Sequence, residues 1–181
     1  EYLDLLAMAA IAEDRETGLG IPEPVRRSAL GYLVVVLEGH VAQRLEEDVE
    51  TVAERLLDLG ATDVFVPPAG AARKLLEARE QAFWTAKAAG ADDIVDIVVP
   101  RAELSGLLTT AQAVAQDTES LITGCGHAGD GNVRLSVFQA DPVGRREVLR
   151  RLVGAGQACG RRLSRGLGRG RAAAEVLLDP S

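Results

Sequence analysis

The segment LITGCGHAGDGNVRLSVF, Leu121–Phe138, decides the fold, because two strand patterns are joined in it by a glycine-rich turn. Leu121–Thr123 is a short apolar run, and Asn132–Phe138 alternates between apolar and polar residues. Strict alternation is typical of a strand with one buried face. The turn, Gly124–Gly131, is the only connection in the sequence tight enough for a β-hairpin. The apolar positions of the second run are Val133, Leu135 and Val137.

The rest of the chain divides into helical and strand patterns. Apolar residues at helical spacing predict helices, and short β-branched runs predict strands. The predicted helices are Tyr2–Ala12, broken by GLGIPEP at Gly18–Pro24, then Val41–Leu56 with a stop at Gly60, Gly70–Ala89, Pro100–Val114 and Arg145–Cys159. The further predicted strands are Tyr32–Leu37, Asp63–Val66 and Ile94–Val99.

Strand–helix–strand therefore occurs twice, which favours an α+β fold. We predict a mostly antiparallel sheet with helices on one face, an enlarged ferredoxin-like sandwich. A doubly wound parallel sheet is the alternative, but no glycine-rich phosphate loop follows the first strand.

Length and composition limit the organisation and the location. With 181 residues and 47% hydrophobic content, the chain has enough apolar residues for one domain with a core, here taken as residues 1–181, or for two small ones. No apolar run approaches the roughly 18 residues of a membrane span. The start, EYLDLLAMAA, resembles the inside of a helix and not a signal peptide. We expect a piece of a longer, cytoplasmic protein without a membrane partner.

Charge is distributed unevenly along the chain. The net charge is −7, yet the segment Arg145–Arg171 has nine arginines and one acid, Glu147. Such a segment suits a small anion or an acidic surface of the same protein. No aromatic residue is interleaved with these arginines, so we expect no nucleic-acid partner.

The glycine-rich turn contains the candidate site. Glycines let a backbone approach a ligand closely, and a turn between strands places His127, Asp130 and Asn132 at a sheet edge. The slot for a second histidine ligand on the returning strand is Arg134, which cannot bind a metal. His127 alone is weak evidence for a metal ligand. The structural alternative is a hairpin whose polar side chains satisfy backbone groups, with Asp130 capping the turn or pairing with Arg134.

At GCGHAGDGNVRLSVF the chain resembles the C-terminal domain of FAD-linked oxidases, the group of D-lactate dehydrogenase, glycolate oxidase and D-2-hydroxyglutarate dehydrogenase, with its GHxGDGNxH signature. Three further segments resemble this family: LLEAREQAF at Leu75–Phe83, DIVVPRAEL at Asp96–Leu104 and LSRGLGRGR at Leu163–Arg171. Leu178–Pro180 also lies where that family often ends.

The resemblance implies a flavin enzyme acting on a 2-hydroxy acid or related alcohol. It implies FAD, held mainly by an N-terminal FAD-binding domain that this sequence lacks, and a small anionic substrate facing this domain. In that reading His127, Asn132, Asp130 and Arg134 face the substrate or flavin, and Arg79 matches the family's carboxylate-binding arginine. The alternative for Arg79 is a solvated ion pair with neighbouring glutamates.

The chain departs from the family at the metal and base positions. Metal-dependent members bind a divalent ion through two histidines and the glutamate of SGEHG, whose next histidine is the base. Here the second histidine is Arg134, no Glu-His pair follows Ser164, and a substrate-binding lysine is replaced by Ile94. We therefore expect no divalent metal. The alternative to an enzyme domain is a catalytically decayed binding or dimerisation module, which would include a homodimer.

Overall fold

The computed structural model describes residues 1–15 and 28–160, and there it has five strands and six α-helices. The strands are β1 Tyr2–Asp4, β2 Gly31–Leu33, β3 Asp93–Val98, β4 Leu121–Gly126 and β5 Asn132–Phe138. The helices are α1 Leu5–Arg15, α2 Ala42–Asp58, α3 Ala69–Glu80, α4 Ala82–Ala88, α5 Leu104–Asp117 and α6 Pro142–Ala158. Among them no helix is long and apolar enough to cross a membrane.

The strands form one sheet in the order β2-β1-β4-β5-β3, and each neighbouring pair is antiparallel. The predicted α+β class with an antiparallel sheet is confirmed, and the parallel alternative is wrong. The run β3-α5-β4-β5-α6 supplies five elements of a ferredoxin-like unit in their usual order. The antiparallel pairing follows from the tight turn between β4 and β5, as their sequence predicts.

The main core lies between one face of this sheet and helices α5 and α6. Alternate residues of β3 and β5 point into it and pack on buried side chains of both helices. Leu107 of α5 and Leu149 of α6 have no exposed surface. This core holds β3, β4 and β5 in place, and their other face is left to α1, α3 and α4.

A second, smaller cluster lies on that other face, which differs from the prediction of helices on one face. Leu3 of β1 packs with Met8, Leu75 and Ala78 of helices α1 and α3. Asp4 ties this layer to the sheet: its carboxylate accepts hydrogen bonds from the Ala7 amide at 2.7 Å and the Thr123 hydroxyl at 2.7 Å.

The first predicted helix is partly wrong. Tyr2–Asp4, predicted as helical, forms strand β1 between β2 and β4, and the helix begins only at Leu5. Leu3 is fully buried as a result. Two neighbouring strands offer β1 hydrogen bonds that override its local helical pattern. The predicted break at Gly18–Pro24, the tail Arg161–Arg171 and the segment Leu178–Pro180 lie outside the described residues.

One predicted strand is shorter than expected and another is absent, because no neighbouring strand pairs with the missing residues. Of Tyr32–Leu37, only Tyr32 and Leu33 lie in a strand, β2; the Val34 amide still donates to the Glu1 carbonyl at 2.8 Å, and the chain then leaves the sheet. Asp63–Val66 is not a strand at all, and the Val66 side chain is exposed. An apolar run predicts burial, but a strand also needs a neighbour for its backbone groups.

The remaining predictions are close to the observed bounds. The helix predicted at Gly70–Ala89 is two helices, α3 and α4, separated at Gln81. The strand predicted at Leu121–Thr123 continues through Gly126. The last helix begins at Pro142, where the Asp141 carboxylate caps it by accepting from the Gly144 amide at 2.7 Å.

The glycines of the β4–β5 turn have a steric cause. A Cβ on Gly124 would approach the Leu135 side chain to 3.0 Å. Gly131 has φ +70° and faces the Val99 carbonyl, so a side chain there would meet both a left-handed backbone and the neighbouring strand. Gly129, in the same turn, has open space around it.

We expect Gly131→Ala to destabilise the fold by more than about 1 kcal/mol, because the left-handed conformation alone costs an alanine roughly that much. Gly129→Ala is the matched control and should change the free energy of unfolding by less than about 0.5 kcal/mol. Urea unfolding followed by circular dichroism measures both. Equal midpoints for the two variants would contradict the steric role of Gly131.

Candidate functional site

Antiparallel pairing arranges two transverse rows of residues on the sheet face opposite α5 and α6. Residues paired directly across antiparallel strands share a face, and in β5 the neighbours of Arg134 point into the core, so Arg134 points away from it. The inner row consists of Leu3, Cys125, Arg134 and Asp96. The outer row, one step nearer the turn, is Glu1, His127, Asn132 and Val98.

The outer row and helix α3 bring three charged or titratable groups together. His127 Nδ1 lies 2.7 Å from Glu1 Oε1. Arg79, in the last turn of α3, places Nη2 at 2.7 Å from His127 Nε2 and 2.9 Å from Glu1 Oε2. Glu1 Oε2 is buried and has no directional hydrogen bond, so its contact with Arg79 is a charge interaction. The guanidinium and the carboxylate thus contact each other, and both contact the imidazole.

The inner row contains a second arginine that is held firmly. Arg134 Nε lies 2.8 Å from Asp96 Oδ1 and its Nη2 lies 3.3 Å from Asp96 Oδ2. Its guanidinium carbon also lies 5.6 Å from the centroid of the Phe83 ring, within the range of a cation–π contact. The partner considered from the sequence, Asp130, is therefore wrong, because Asp96 lies directly across the ladder from Arg134.

The two other candidates of the turn have different surroundings. Asn132 Oδ1 is buried and has no hydrogen-bond partner among the described residues, although buried carbonyl groups nearly always have one. Asp130 is exposed, and its side chain has no hydrogen bond or ion pair within the described part of the chain. Asn132 therefore belongs to the cluster of polar groups, and Asp130 does not.

Cys125 lies in the inner row, directly across the ladder from Arg134. Burial raises the pKa of its thiol, and the positive charges of Arg134 and Arg79 partly oppose that rise.

The sequence identified four of the side chains that come together: Arg79, His127, Asn132 and Arg134. It missed three partners. Asp96 could have been found, because it is the one acid inside an otherwise apolar predicted strand. No sequence signal pointed to the partners Glu1 and Phe83, which reach the site through tertiary packing.

A sequence model described as "FAD linked oxidases, C-terminal domain" matches residues 1–154. The chain belongs to this family. It is 45% identical over 179 residues to an uncharacterized FAD-linked oxidoreductase of Mycobacterium tuberculosis, found in two strains; the match covers 99% of this chain and 39% of the relative. It is 29% identical over 139 residues to a D-lactate dehydrogenase of Anaerostipes hadrus, covering 72% of this chain and 29% of that protein.

FAD is the cofactor of this family, and the site fits only its substrate side. The two rows present guanidinium, imidazole and amide groups, which suit a small polar substrate near a flavin ring. The described residues show no glycine-rich turn between a strand and a following helix that would hold the dinucleotide. Among the described residues, the two rows therefore offer polar groups for a small ligand and no such loop.

The residues do not fit a divalent metal ion. The described part of the chain has no group of three His, Cys, Asp or Glu side chains arranged to hold one. His127 is the one imidazole of the two rows, and a fixed guanidinium, Arg134, stands where the family has its second histidine. A guanidinium has no lone pair to give and repels a cation.

The raised pKa of Cys125 predicts slow alkylation, because the thiolate is the reacting form. In a Cys159→Ser background, iodoacetamide at pH 8 should modify Cys125 more slowly than it modifies a short cysteine peptide. Arg134→Met removes a charge that lowers the pKa and should slow the reaction further. Arg150→Met is the control, since Arg150 pairs with Glu147 on the surface of α6. Faster alkylation in Arg134→Met, with the control unchanged, would contradict this electrostatic arrangement.

Proposed function

We propose that the protein containing this chain is a flavin-dependent oxidoreductase that acts on a 2-hydroxy acid or a related alcohol. In this proposal residues 1–181 form one domain, which covers the substrate while an N-terminal FAD-binding domain holds the cofactor. The relatives in Mycobacterium tuberculosis support a larger protein, because this chain spans 39% of their length. The D-lactate dehydrogenase relative supports the substrate class.

The observation that carries the proposal is the meeting of Arg79, His127 and Asn132 on one sheet face. A 2-hydroxy acid has a carboxylate, which suits a guanidinium, and an adjacent hydroxyl group, which needs an acceptor for its proton. Arg79 supplies the guanidinium. His127 supplies the acceptor: with Nδ1 protonated and facing Glu1, the lone pair lies on Nε2, where Arg79 Nη2 contacts it in the absence of a ligand.

The chemistry would proceed as follows. When bound, FAD would supply the oxidant for the hydride that leaves the carbon bearing the hydroxyl group. The hydroxyl proton passes to His127 Nε2, and the resulting positive imidazolium is stabilised by the Glu1 carboxylate. Arg79 exchanges its contact with Nε2 for the substrate carboxylate, which frees that nitrogen. The products are the 2-oxo acid and reduced flavin.

The first test records the visible spectrum of the full-length protein with D-2-hydroxy acids. Loss of the oxidised flavin bands with D-lactate, but with neither L-lactate nor propionate, is the expected result, because propionate has no hydroxyl group to oxidise. A flavin that stays oxidised with every D-2-hydroxy acid would contradict the substrate class.

The second test compares the two histidines of the chain. His127→Gln should slow flavin reduction at saturating substrate by about 10²-fold or more, as expected for loss of a general base. His40→Gln is the matched control, since His40 is exposed and lies outside both rows. Stopped-flow absorbance measures the rate, and equal rates for the two variants would rule out His127 as the base.

A binding or dimerisation module is the second candidate function. It is favoured by the ion pairs Glu1–Arg79 and Asp96–Arg134, which partly neutralise both arginines without any ligand. It is also favoured by the sequence after Ser164, which has no Glu-His pair. A full-length protein that binds no flavin and sediments as a dimer would support this candidate over the enzyme.

A further inference from the structure

We propose that Arg134 forms, together with Arg79 and Asn132, a carboxylate-binding site that works without a divalent metal ion. The guanidinium of Arg134 then supplies the fixed positive charge that a metal would give. The ligand is a small 2-hydroxy acid, and this choice of ligand rests on the function proposed above. The site itself rests on three structural features: the fixation of Arg134, its remaining donors, and the amide and second guanidinium on the same face.

Arg134 is fixed in direction before any ligand arrives. Its Cα lies in the middle of the ladder, between β3 and β4. Asp96 binds two of its nitrogen atoms, and its guanidinium carbon lies over the Phe83 ring, 5.6 Å from the ring centroid. A long flexible side chain normally loses rotamer entropy when it binds an anion, and here that loss has already occurred on folding.

Arg134 also keeps donors for a ligand. A guanidinium has five N–H groups, and Asp96 takes one from Nε and one from Nη2. The Nη1 atom has no acceptor among the described residues, and 36% of the side chain is exposed. An edge of the fork is therefore open to a carboxylate, which guanidinium groups bind through paired, charge-assisted hydrogen bonds.

An amide and a second guanidinium lie on the same face of the sheet as Arg134. Asn132 is two residues before Arg134 on the same face of β5, a distance of about 7 Å along a strand. Its Oδ1 is buried and has no donor among the described residues, so the amide can turn to donate through Nδ2 to a ligand oxygen, while the hydroxyl proton of a 2-hydroxy acid stays directed at His127 Nε2. Arg79 contributes Nη2 alone to the cluster with Glu1 and His127. Arg79 reaches this face beside His127, whose carbonyl accepts from the Asn132 backbone amide, and Asn132 lies two residues from Arg134.

The charges at this site explain why it does not hold a divalent metal ion beside Arg134. Two guanidiniums and two carboxylates already balance, with Glu1 and Asp96 as the negative partners. A divalent ion near His127 would add two positive charges beside Arg79 and Arg134 without a third protein ligand. A monoanionic substrate adds one negative charge that three unused N–H groups can share.

The test titrates D-lactate into the 181-residue chain and follows backbone amide signals by ¹H–¹⁵N nuclear magnetic resonance. Without flavin the chain cannot oxidise D-lactate, so the titration measures binding alone, and the same spectra report whether each variant is folded. We expect saturable shifts in β5 and the glycine turn. Arg134→Met should weaken binding at least tenfold, as loss of a charge-assisted fork predicts.

Arg150→Met is the matched control, because Arg150 also binds a carboxylate through Nε and Nη2 but lies on the surface of α6. It should leave the affinity within about twofold. Arg134→Lys keeps the charge without the fork, and an intermediate affinity is expected. This variant also tests the proposal if Arg134→Met fails to fold.

Metal dependence is read in the same spectra. Addition of EDTA should leave the D-lactate affinity unchanged, and one equivalent of Mn²⁺ should broaden no signals selectively around His127. Selective broadening there, with tighter D-lactate binding, would overturn the proposal. So would the absence of saturable D-lactate binding, or equal affinities in Arg134→Met and Arg150→Met.

The outcomes separate this inference from the proposed function. Reduction of the flavin by D-lactate in the full-length protein, with no effect of Arg134→Met on binding, would refute the arginine site and leave the enzyme. Weakened D-lactate binding in Arg134→Met, with a flavin that D-lactate never reduces, would support the site and refute the oxidoreductase.

Discussion

The pairing of β4 with β5 across the glycine turn is the constraint on which the site depends. This register places Cys125 opposite Arg134, and the next strand places Asp96 on the other side of Arg134. A slip of one residue would turn Arg134 into the core and carry Val133 to the ligand face. The turn itself requires Gly131, whose backbone lies against the Val99 carbonyl. Gly131 is therefore required by packing. The turn that it allows places His127 at the edge of the sheet.

The ion pairs of this face matter for position more than for stability. Arg79 and Arg134 are both partly exposed, and such pairs contribute only about 0–1 kcal/mol to folding. The buried apolar layer under α5 and α6 supplies the stability instead. The sheet face opposite that core can consequently hold charged groups, with unused donors and an unpartnered Asn132 carbonyl, without endangering the fold.

The sequence predicted those parts that depend on local pattern. The β5 strand agrees with its predicted bounds because alternation and a buried face coincide there. The prediction failed where a tertiary partner decides: Tyr2–Asp4 is a strand because two strands flank it, and Asp63–Val66 is not one because none does. In the site, spacing identified side chains of the turn, but the pairing of Arg134 with Asp96 follows from a register that no short motif encodes.

Arg134 is thus the residue of the site that most clearly distinguishes this chain from metal-dependent members of the family. Its place in the ladder, its two bonds to Asp96 and its contact with Phe83 hold it on the ligand face, and its Nη1 has no acceptor among the described residues. A crystal structure of the protein with bound D-lactate tests this most directly. We expect a carboxylate oxygen at hydrogen-bonding distance from Arg134 Nη1 and the hydroxyl group directed at His127 Nε2. A carboxylate bound through a metal ion on His127, or D-lactate located away from both rows, would contradict it.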